Sequence, residues 1–311
     1  MSLIRNPHLL LALTALIWSG NAIAGKFAVG HVSPMMLTVS RWAVALLIIG
    51  FIAHRQIRED WDIIRKNWLY LLLMGGLGYT GFNYCLYSAL QHISAINVTL
   101  EQGAMPLVIF VLSYAIYRTG VTWLQIAGFI LTLLGVVITV SSGQPLNLFS
   151  GEGSGINIGD VYVFFAAIFY GGYSVALRSK PDMNWQSFLA CLVTGALIFS
   201  TIGALVEFQA GHHQISMTWQ GISAILFAGI VSSLVAQGLF IKGVETLGAN
   251  IAGLYINLVP VFGALLAIIM LGEKLYLFHA VACVLVVGGI MIAQRKSATR
   301  STAQPPVSNK T

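Results

Sequence analysis

Charge is scarce in this sequence. Asp, Glu, Lys and Arg make up 8% of its 311 residues, against 57% hydrophobic residues. A soluble domain carries about 25% charged residues, so an ordinary wet surface is excluded. The mean hydropathy of +0.84 points to lipid as the solvent. Cysteine is scarce too: Cys85, Cys191 and Cys283 lie in separate apolar runs without C-x-x-C spacing. That excludes a disulfide framework or cysteine zinc site, and the three read as apolar packing residues. No G-x-x-x-x-G-K-[ST] is present, which excludes ATP hydrolysis by a P-loop. H-E-x-x-H, a Ser/His arrangement and close paired carboxylates are also missing, leaving an intramembrane enzyme as a distant alternative. His212-His213 offers too few ligands for a metal. No cofactor and no metal are expected.

The formal net charge is +6, but the basic residues are scattered between apolar runs with no interleaved aromatic platform. This reads as orientation in a membrane, not as nucleic-acid binding. A spanning helix needs about twenty apolar residues. Ten segments qualify: 9–29, 35–53, 68–90, 95–117, 122–141, 158–178, 185–208, 218–241, 248–271 and 275–294. With the N-terminus in the cytoplasm, Arg5, Arg55, Arg58, Arg65, Lys66, Arg118, Arg178, Lys180, Lys242, Arg295, Lys296 and Arg300 fall on the inner side. Only Lys26 and Lys274 fall outside. This bias predicts both termini in the cytoplasm and a multi-pass protein of the bacterial inner membrane. The polar tail 297–311 is expected to be disordered.

Gly76, Gly78 and Gly81 form G-x-G-x-x-G, with Glu101 about twenty residues on. A dinucleotide site needs a preceding strand in a soluble βαβ unit. Here the glycines lie within an apolar run long enough to span, where glycine serves close helix packing.

The two halves resemble each other. At an offset of 152, "ALIWSGNAIAGK" (15–26) falls on "AIFYGGYSVALR" (167–178). At 154, Pro106 falls on Pro260, Asn83 on Gln237 and Gly135 on Gly289. The first span has Arg5 and an A-x-A at Ala22–Ala24, like a signal peptide, but its internal counterpart argues against removal. Five spans per half put the second half upside down, an arrangement of secondary transporters with substrate sites at the repeat interface. The expected fold is an all-α integral membrane protein, ten helices in two inverted five-helix repeats around a central cavity. Residues 1–143 form the first repeat, 144–157 a linker and 158–296 the second repeat.

The stretches "ALIWSGNAIAGKFA", "TVSRWAVALLI", "YSALQHISAINVTLEQGAMPLVIFVLS" and "LGANIAGLYINLVPVFGALLAIIMLGEKL" resemble the drug/metabolite transporter superfamily in its ten-helix EamA form. Within it the chain is most similar to bacterial amino-acid exporters, including those for aromatic amino acids. Tyr117-Arg118-Thr119 departs from the pattern of Leu271-Gly272-Glu273 in the second half.

Polar residues within spans tend to face a bundle interior or a water-filled path. At helical spacing the candidates are Trp18 and Asn21, Tyr79 and Asn83, Glu101, Gln102 and Met105, Tyr170 and Tyr173, Ser233 and Gln237, and Asn257. Amides suit a substrate's ammonium and carboxylate, and aromatic faces its side chain. Glu101 either binds the ammonium or carries a coupling proton, or else is paired structurally, with Arg41 as the nearest basic candidate. Pro106 and Pro260 kink their helices, as hinges or as curvature. Gly128 and Gly135, with counterparts Ala282 and Gly289, read as close packing of the fifth and tenth spans. The expected function is a secondary transporter exporting amino acids by alternating access. The alternative in the same class is a multidrug or nucleoside-type exporter. The partners expected are a small-molecule substrate and the lipid bilayer, with no nucleic acid, and the chain is taken as a monomer.

Overall fold

A computed structural model describes residues 6–118, 120–148 and 156–301. Among these, helices account for every regular element apart from one isolated bridge, Val32 to Ile215. In the first half, α1 is Pro7–Ala28 and α2 is Pro34–Ile52. Two short helices, α3 (His54–Glu59) and α4 (Trp61–Lys66), lead into a run made of α5 (Trp68–Leu73), a π-helical stretch (Met74–Gly81) and α6 (Phe82–Ala89). Then come α7 (Ala95–Gln102), α8 (Met105–Tyr117) and α9 (Trp123–Val140).

The second half has the same plan. It comprises α10 (Ile158–Ala176), α11 (Trp185–Gln209), and a run of α12 (Trp219–Leu226), a second π stretch (Phe227–Val235) and α13 (Ala236–Leu247). It closes with α14 (Ala249–Ile256), α15 (Val259–Leu271) and α16 (Leu277–Ser301). The last helix runs five residues into the predicted tail. The tail's residues 302–311, with Arg5 and Thr119, lie outside the described residues.

Nine helical segments among the described residues are long and apolar enough to cross a membrane. Predicted span 68–90 is helical over Trp68–Ala89 but is not among the nine. Four glycines, four tyrosines and Asn83 dilute its apolar character.

Local chemistry sets the helix limits. Asn6 caps α1 by accepting the His8 N–H, with Pro7 at the first position, where its missing N–H costs nothing. Thr122 with Gln125, and Asn157 with Asp160, form reciprocal capping boxes at the starts of α9 and α10. Pro106 and Pro260 occupy the first turns of α8 and α15. Neither proline can donate a hydrogen bond to the preceding turn, so the fourth and ninth spans each divide in two. Both second pieces end on a left-handed residue, Arg118 at φ 53° and Gly272 at φ 66°. Glycine adopts that conformation freely, whereas arginine is strained there.

Glycines set the closest contacts. A Cβ on Gly128 would lie 2.3 Å from the Gly289 carbonyl oxygen, and one on Gly289 would lie 2.4 Å from the Gly128 oxygen. A Cβ on Gly135 would come within 2.9 Å of the Ala282 oxygen. The fifth and tenth spans therefore touch backbone to backbone, as their glycines suggest. Gly76, Gly78 and Gly81 press on the rings of Phe199, Tyr173 and Phe169, which is packing and not phosphate binding.

The helices with the most extensive mutual packing are α9 with α16 and α2 with α11. Helix α1 packs on α13 and α15. The largest apolar cluster gathers Ile23, Leu86, Tyr87, Leu90, Ile96 and Leu100. Helix α7 lies along α15, whereas among the described residues α8 has no comparable packing on α14 and leans on α10 instead. The fourth and ninth spans thus meet through one pair of half-helices and separate at the other.

Gly128→Val places methyl groups against a backbone carbonyl that cannot rotate away. Overpacking of this kind costs about 1–3 kcal/mol. The expected result is a lower melting temperature for the purified protein in detergent. An unchanged melting curve would refute the backbone contact between α9 and α16.

Candidate substrate site

Arg41, in the interior of α2, is 3% exposed. Its Nη1 donates to Asn21 Oδ1 at 3.2 Å, to Asn83 Oδ1 and to the Tyr87 hydroxyl oxygen. Its Nη2 donates to Ser233 Oγ at 2.7 Å. Tyr87 donates in turn to Asn21 Oδ1 at 2.9 Å, and Asn83 Nδ2 donates to the Tyr79 carbonyl at 2.8 Å. The guanidinium carbon lies 4.6 Å from the ring centre of Trp42 and 5.8 Å from that of Tyr87, both within cation–π range. Four elements meet here: α1, α2, α6 and the second π stretch. Three predicted site residues, Asn21, Asn83 and Ser233, are brought together as buried acceptors for Arg41.

An aromatic wall adjoins this hub. Trp42 stacks on Tyr79 with centroids 5.1 Å apart and planes at 15°. The hydroxyls of Tyr79 and Tyr173 are 3.4 Å apart. Tyr170 lies 6.0 Å from Tyr173 and 5.3 Å from Phe82. Trp18 stands apart from them, 5.2 Å from Phe240. Trp18, Tyr79, Tyr170 and Tyr173 are all partly exposed, so one edge of each remains available.

Glu101 does not pair with Arg41. It is buried, 4% exposed, and its carboxyl contacts that of Asp160. Asp160 Oδ2 also accepts the Asn157 N–H at 2.7 Å as part of the α10 cap. Among the described residues Glu101 Oε1 has no hydrogen-bond partner. The sequence shows no carboxylate pair because these two residues belong to different halves. A hydrogen bond between two carboxyl groups requires a proton on one of them.

The remaining candidates scatter. The Gln102 amide donates to the Val98 carbonyl at 3.3 Å. Met105 is buried and Gln237 partly exposed. Asn257 Nδ2 donates to Gln294 Oε1 at 2.9 Å. A cavity of about 360 Å³ lies between α8, α9 and α16, lined by Gly103, Pro106, Phe110, Gln125, Gln294 and the exposed Arg178, among others. None of the twelve predicted site residues lines it. It meets the set only through the Gln294–Asn257 bond, and lies where α8 stands away from α14.

Comparison with known proteins completes the picture. The model of the EamA-like transporter family matches residues 6–141 and, again, residues 157–294. The chain belongs to this family. It is 25% identical over 272 residues to an uncharacterized transporter, YyaM, of Bacillus subtilis (strain 168), covering 86% of this chain and 87% of the relative. It is 26% identical to an uncharacterized transporter of Archaeoglobus fulgidus, covering 93% of this chain and 97% of the other. A protein of Chlamydia muridarum named S-adenosylmethionine/S-adenosylhomocysteine transporter is 23% identical, covering 85% of this chain and 84% of its own. A solved crystal structure at 21% identity shares the fold, with a TM-score of 0.60 over 96% of this chain and 99% of that one. The protein is therefore an EamA-like membrane transporter.

In this EamA-like transporter the loops at the two faces are tied across the halves. At the face poor in Lys and Arg, Ser33 N donates to the Gln214 carbonyl and Ser216 N to that of His31, each at 2.8 Å. Ser33 Oγ donates to Glu207 Oε2 at 2.7 Å. Lys26 Nζ donates to the carbonyls of Leu90 and Ile93 at 2.7 and 2.9 Å. The carboxylate of Glu273 accepts the N–H groups of Ala95 and Ile96 at 2.8 and 3.0 Å, a favourable place for negative charge at the start of α7. His279 Nδ1 accepts the Tyr276 N–H at 3.1 Å, which makes Nε2 the donor to Asn97 Oδ1 at 3.0 Å.

At the basic face one carboxylate plays the corresponding part. Asp60 Oδ2 accepts both N–H and Nδ2–H of Asn184 at 3.0 Å. Burial pushes the Asp60 carboxyl up, but hydrogen bonds, including both from Asn184, outweigh it and hold it below its usual value. A carboxyl held down in the folded state stabilises above its unfolded value of about 3.9 and loses that contribution as pH falls through the folded one. Asp60→Asn is expected to melt below the wild type at pH 7. The gap should close as the pH is lowered below about 4. Melting curves across pH check this, and a gap that stays constant would remove the charge from the explanation.

Proposed function

We propose that this protein is a secondary transporter that exports amino acids across the bacterial inner membrane by alternating access. In this reading residues 1–143 and 158–296 are two inverted five-helix repeats joined by 144–157, with both termini in the cytoplasm. The observation that carries it is the divided packing of the fourth and ninth spans. Helices α7 and α15 are packed together, whereas among the described residues α8 and α14 have no comparable packing. The packed pair belongs to the face poor in Lys and Arg, which the positive-inside rule places outside. The arrangement is then inward-facing. The breaks ahead of Pro106 and Pro260 let each half-helix move without its continuation. Exchange of which pair is packed alternates the access.

The substrate class follows from the wall beside the hub. Tyr79, Tyr170 and Tyr173 supply rings and Asn21, Asn83 and Ser233 neutral hydrogen-bonding groups at the hub, while Trp18, Gln102, Met105, Gln237 and Asn257 stand apart and join the site only on the sequence reading. Glu101, beside Asp160, supplies the acid that binds an ammonium or carries a coupling proton. A second reading is export of nucleoside-bearing metabolites. It draws support from the relatives named for S-adenosylmethionine and S-adenosylhomocysteine. Both of those compounds carry an amino-acid head, so the two readings share that end of the substrate.

Counterflow into proteoliposomes tests the reading. Vesicles loaded with unlabelled amino acids are expected to accumulate a labelled one saturably. Trp18→Ala should raise the half-saturation concentration about three- to tenfold, as for the loss of one ring contact. Glu101→Gln should abolish transport or remove its dependence on pH. Flux in that variant equal to wild type at every pH would remove Glu101 from the site. Failure to accumulate any amino acid, with S-adenosylmethionine accumulating instead, would favour the second reading.

A further inference from the structure

Arg41 holds a positive charge in the interior of the bundle with no anion beside it. Among the described residues the single ion pair is Arg55–Glu59, in α3. Every acceptor on Arg41 is neutral: two amide oxygens, a phenol and a hydroxyl. Glu101, the nearest candidate by sequence, is engaged with Asp160. Burial of a lone cation in a membrane protein is expensive. The rings of Trp42 and Tyr87 and the four dipoles offset part of that cost and leave the net charge in place.

The donors are also incompletely used. A guanidinium has five N–H groups. Among the described residues Nε has no partner, and Nη2, with two N–H groups, makes one hydrogen bond, to Ser233. One edge of the guanidinium, Nε with the adjacent Nη2, therefore keeps unused donors while buried. Two parallel N–H groups on such an edge match the two oxygens of a carboxylate. Opposite the hub, Trp42 stacks on Tyr79, and Tyr79 is partly exposed and meets Tyr173. The Tyr79 ring therefore lies between the buried cation's neighbour Trp42 and the partly exposed wall.

We propose that Arg41 is the substrate-binding group for a carboxylate, which docks side-on to the Nε–Nη2 edge when Tyr79 moves aside. This inference rests on the amino-acid reading for its substrate and deepens it. It assigns recognition of the acid end to α2, a helix outside the predicted set. The neutral acceptors keep the guanidinium oriented without neutralising it, so the charge is reserved for the ligand.

The test compares acids with their amides. Purified protein in detergent is titrated with L-phenylalanine, L-methionine and S-adenosylmethionine, with the α-carboxamide of each of the first two, and with the plain carboxylates phenylacetate and benzoate. Intrinsic tryptophan fluorescence reports binding, with Trp42 beside the site. The acids are expected to bind more than about tenfold more tightly than the amides, the scale of a buried charge-assisted pair. Arg41→Lys keeps the charge and is expected to fold, to bind acids more weakly and to lose most of the acid-over-amide preference. Arg41→Gln should lose the preference entirely, and Arg41→Lys keeps the question open to measurement if the glutamine variant does not fold.

Equal affinity for acid and amide in wild type would overturn the role of Arg41 while leaving amino-acid transport standing. An undiminished preference in a folded Arg41→Lys protein would also overturn it. Binding of phenylacetate or benzoate but of no amino acid would support Arg41 and remove the amino-acid reading. No saturable response to any carboxylate would overturn the inference.

Discussion

Arg41 lies where water cannot reach it, and its hydrogen bonds fix how four elements meet. Three carbonyl, amide or hydroxyl partners come from the first half and one from the second π stretch. Lipid offers no competing partners, so each of these bonds must be made within the protein. The residues that make them are confined by that requirement: Asn21, Asn83 and Tyr87 are buried although two amides and a phenol would otherwise favour water. The aromatic stack on Trp42 and the carbonyl bond from Asn83 to Tyr79 extend the constraint to the ring wall. The hub and the wall thus form one connected polar and aromatic structure across the halves.

Around that fixed centre the outer helices are rigid and the inner ones divided. The fifth and tenth spans touch through glycine and cannot slide without a clash, and the second and seventh make the next most extensive contact. The fourth and ninth spans are broken, and the third and eighth carry π-helical stretches. A π stretch leaves its ladder of backbone hydrogen bonds widened and is a frequent mark of functional positions. Departures from regular helix therefore concentrate in the third, fourth, eighth and ninth spans, beside the hub and the ring wall.

Much of this was legible in the sequence. Segment 95–117 agrees with α7–α8 at both ends, and segments 35–53 and 122–141 agree with α2 and α9 to within one residue, because apolar length is what lipid selects. Pro106 and Pro260 marked both breaks, since a missing N–H acts locally. Gly128 and Gly289 marked a close contact for the same reason. Pairings across helices were harder to read. Helical spacing groups Tyr79, Asn83 and Tyr87 on one face but does not say that Arg41 faces them, nor that Asp160 faces Glu101. The best available signal is an arginine inside an apolar helix, and the pairing with Glu101 that it offers as one alternative is not the one formed. The span 218–241 ended six residues early because Lys242 and Glu245 look like a membrane boundary, yet they continue α13.

Asp160 links two things that are usually separate. The same side chain closes the capping box of α10 and touches the acid buried in α7. If Oδ2 leaves the Asn157 N–H, α10 loses the reciprocal bond of its capping box and keeps the bond from Gly159 N to Asn157 Oδ1. A displacement of Glu101 that drags Asp160 with it would therefore open the capping box while Asn157 still holds the first turn. The closure of one capping box is thus tied to the position of a different helix, with no loop or linker between them.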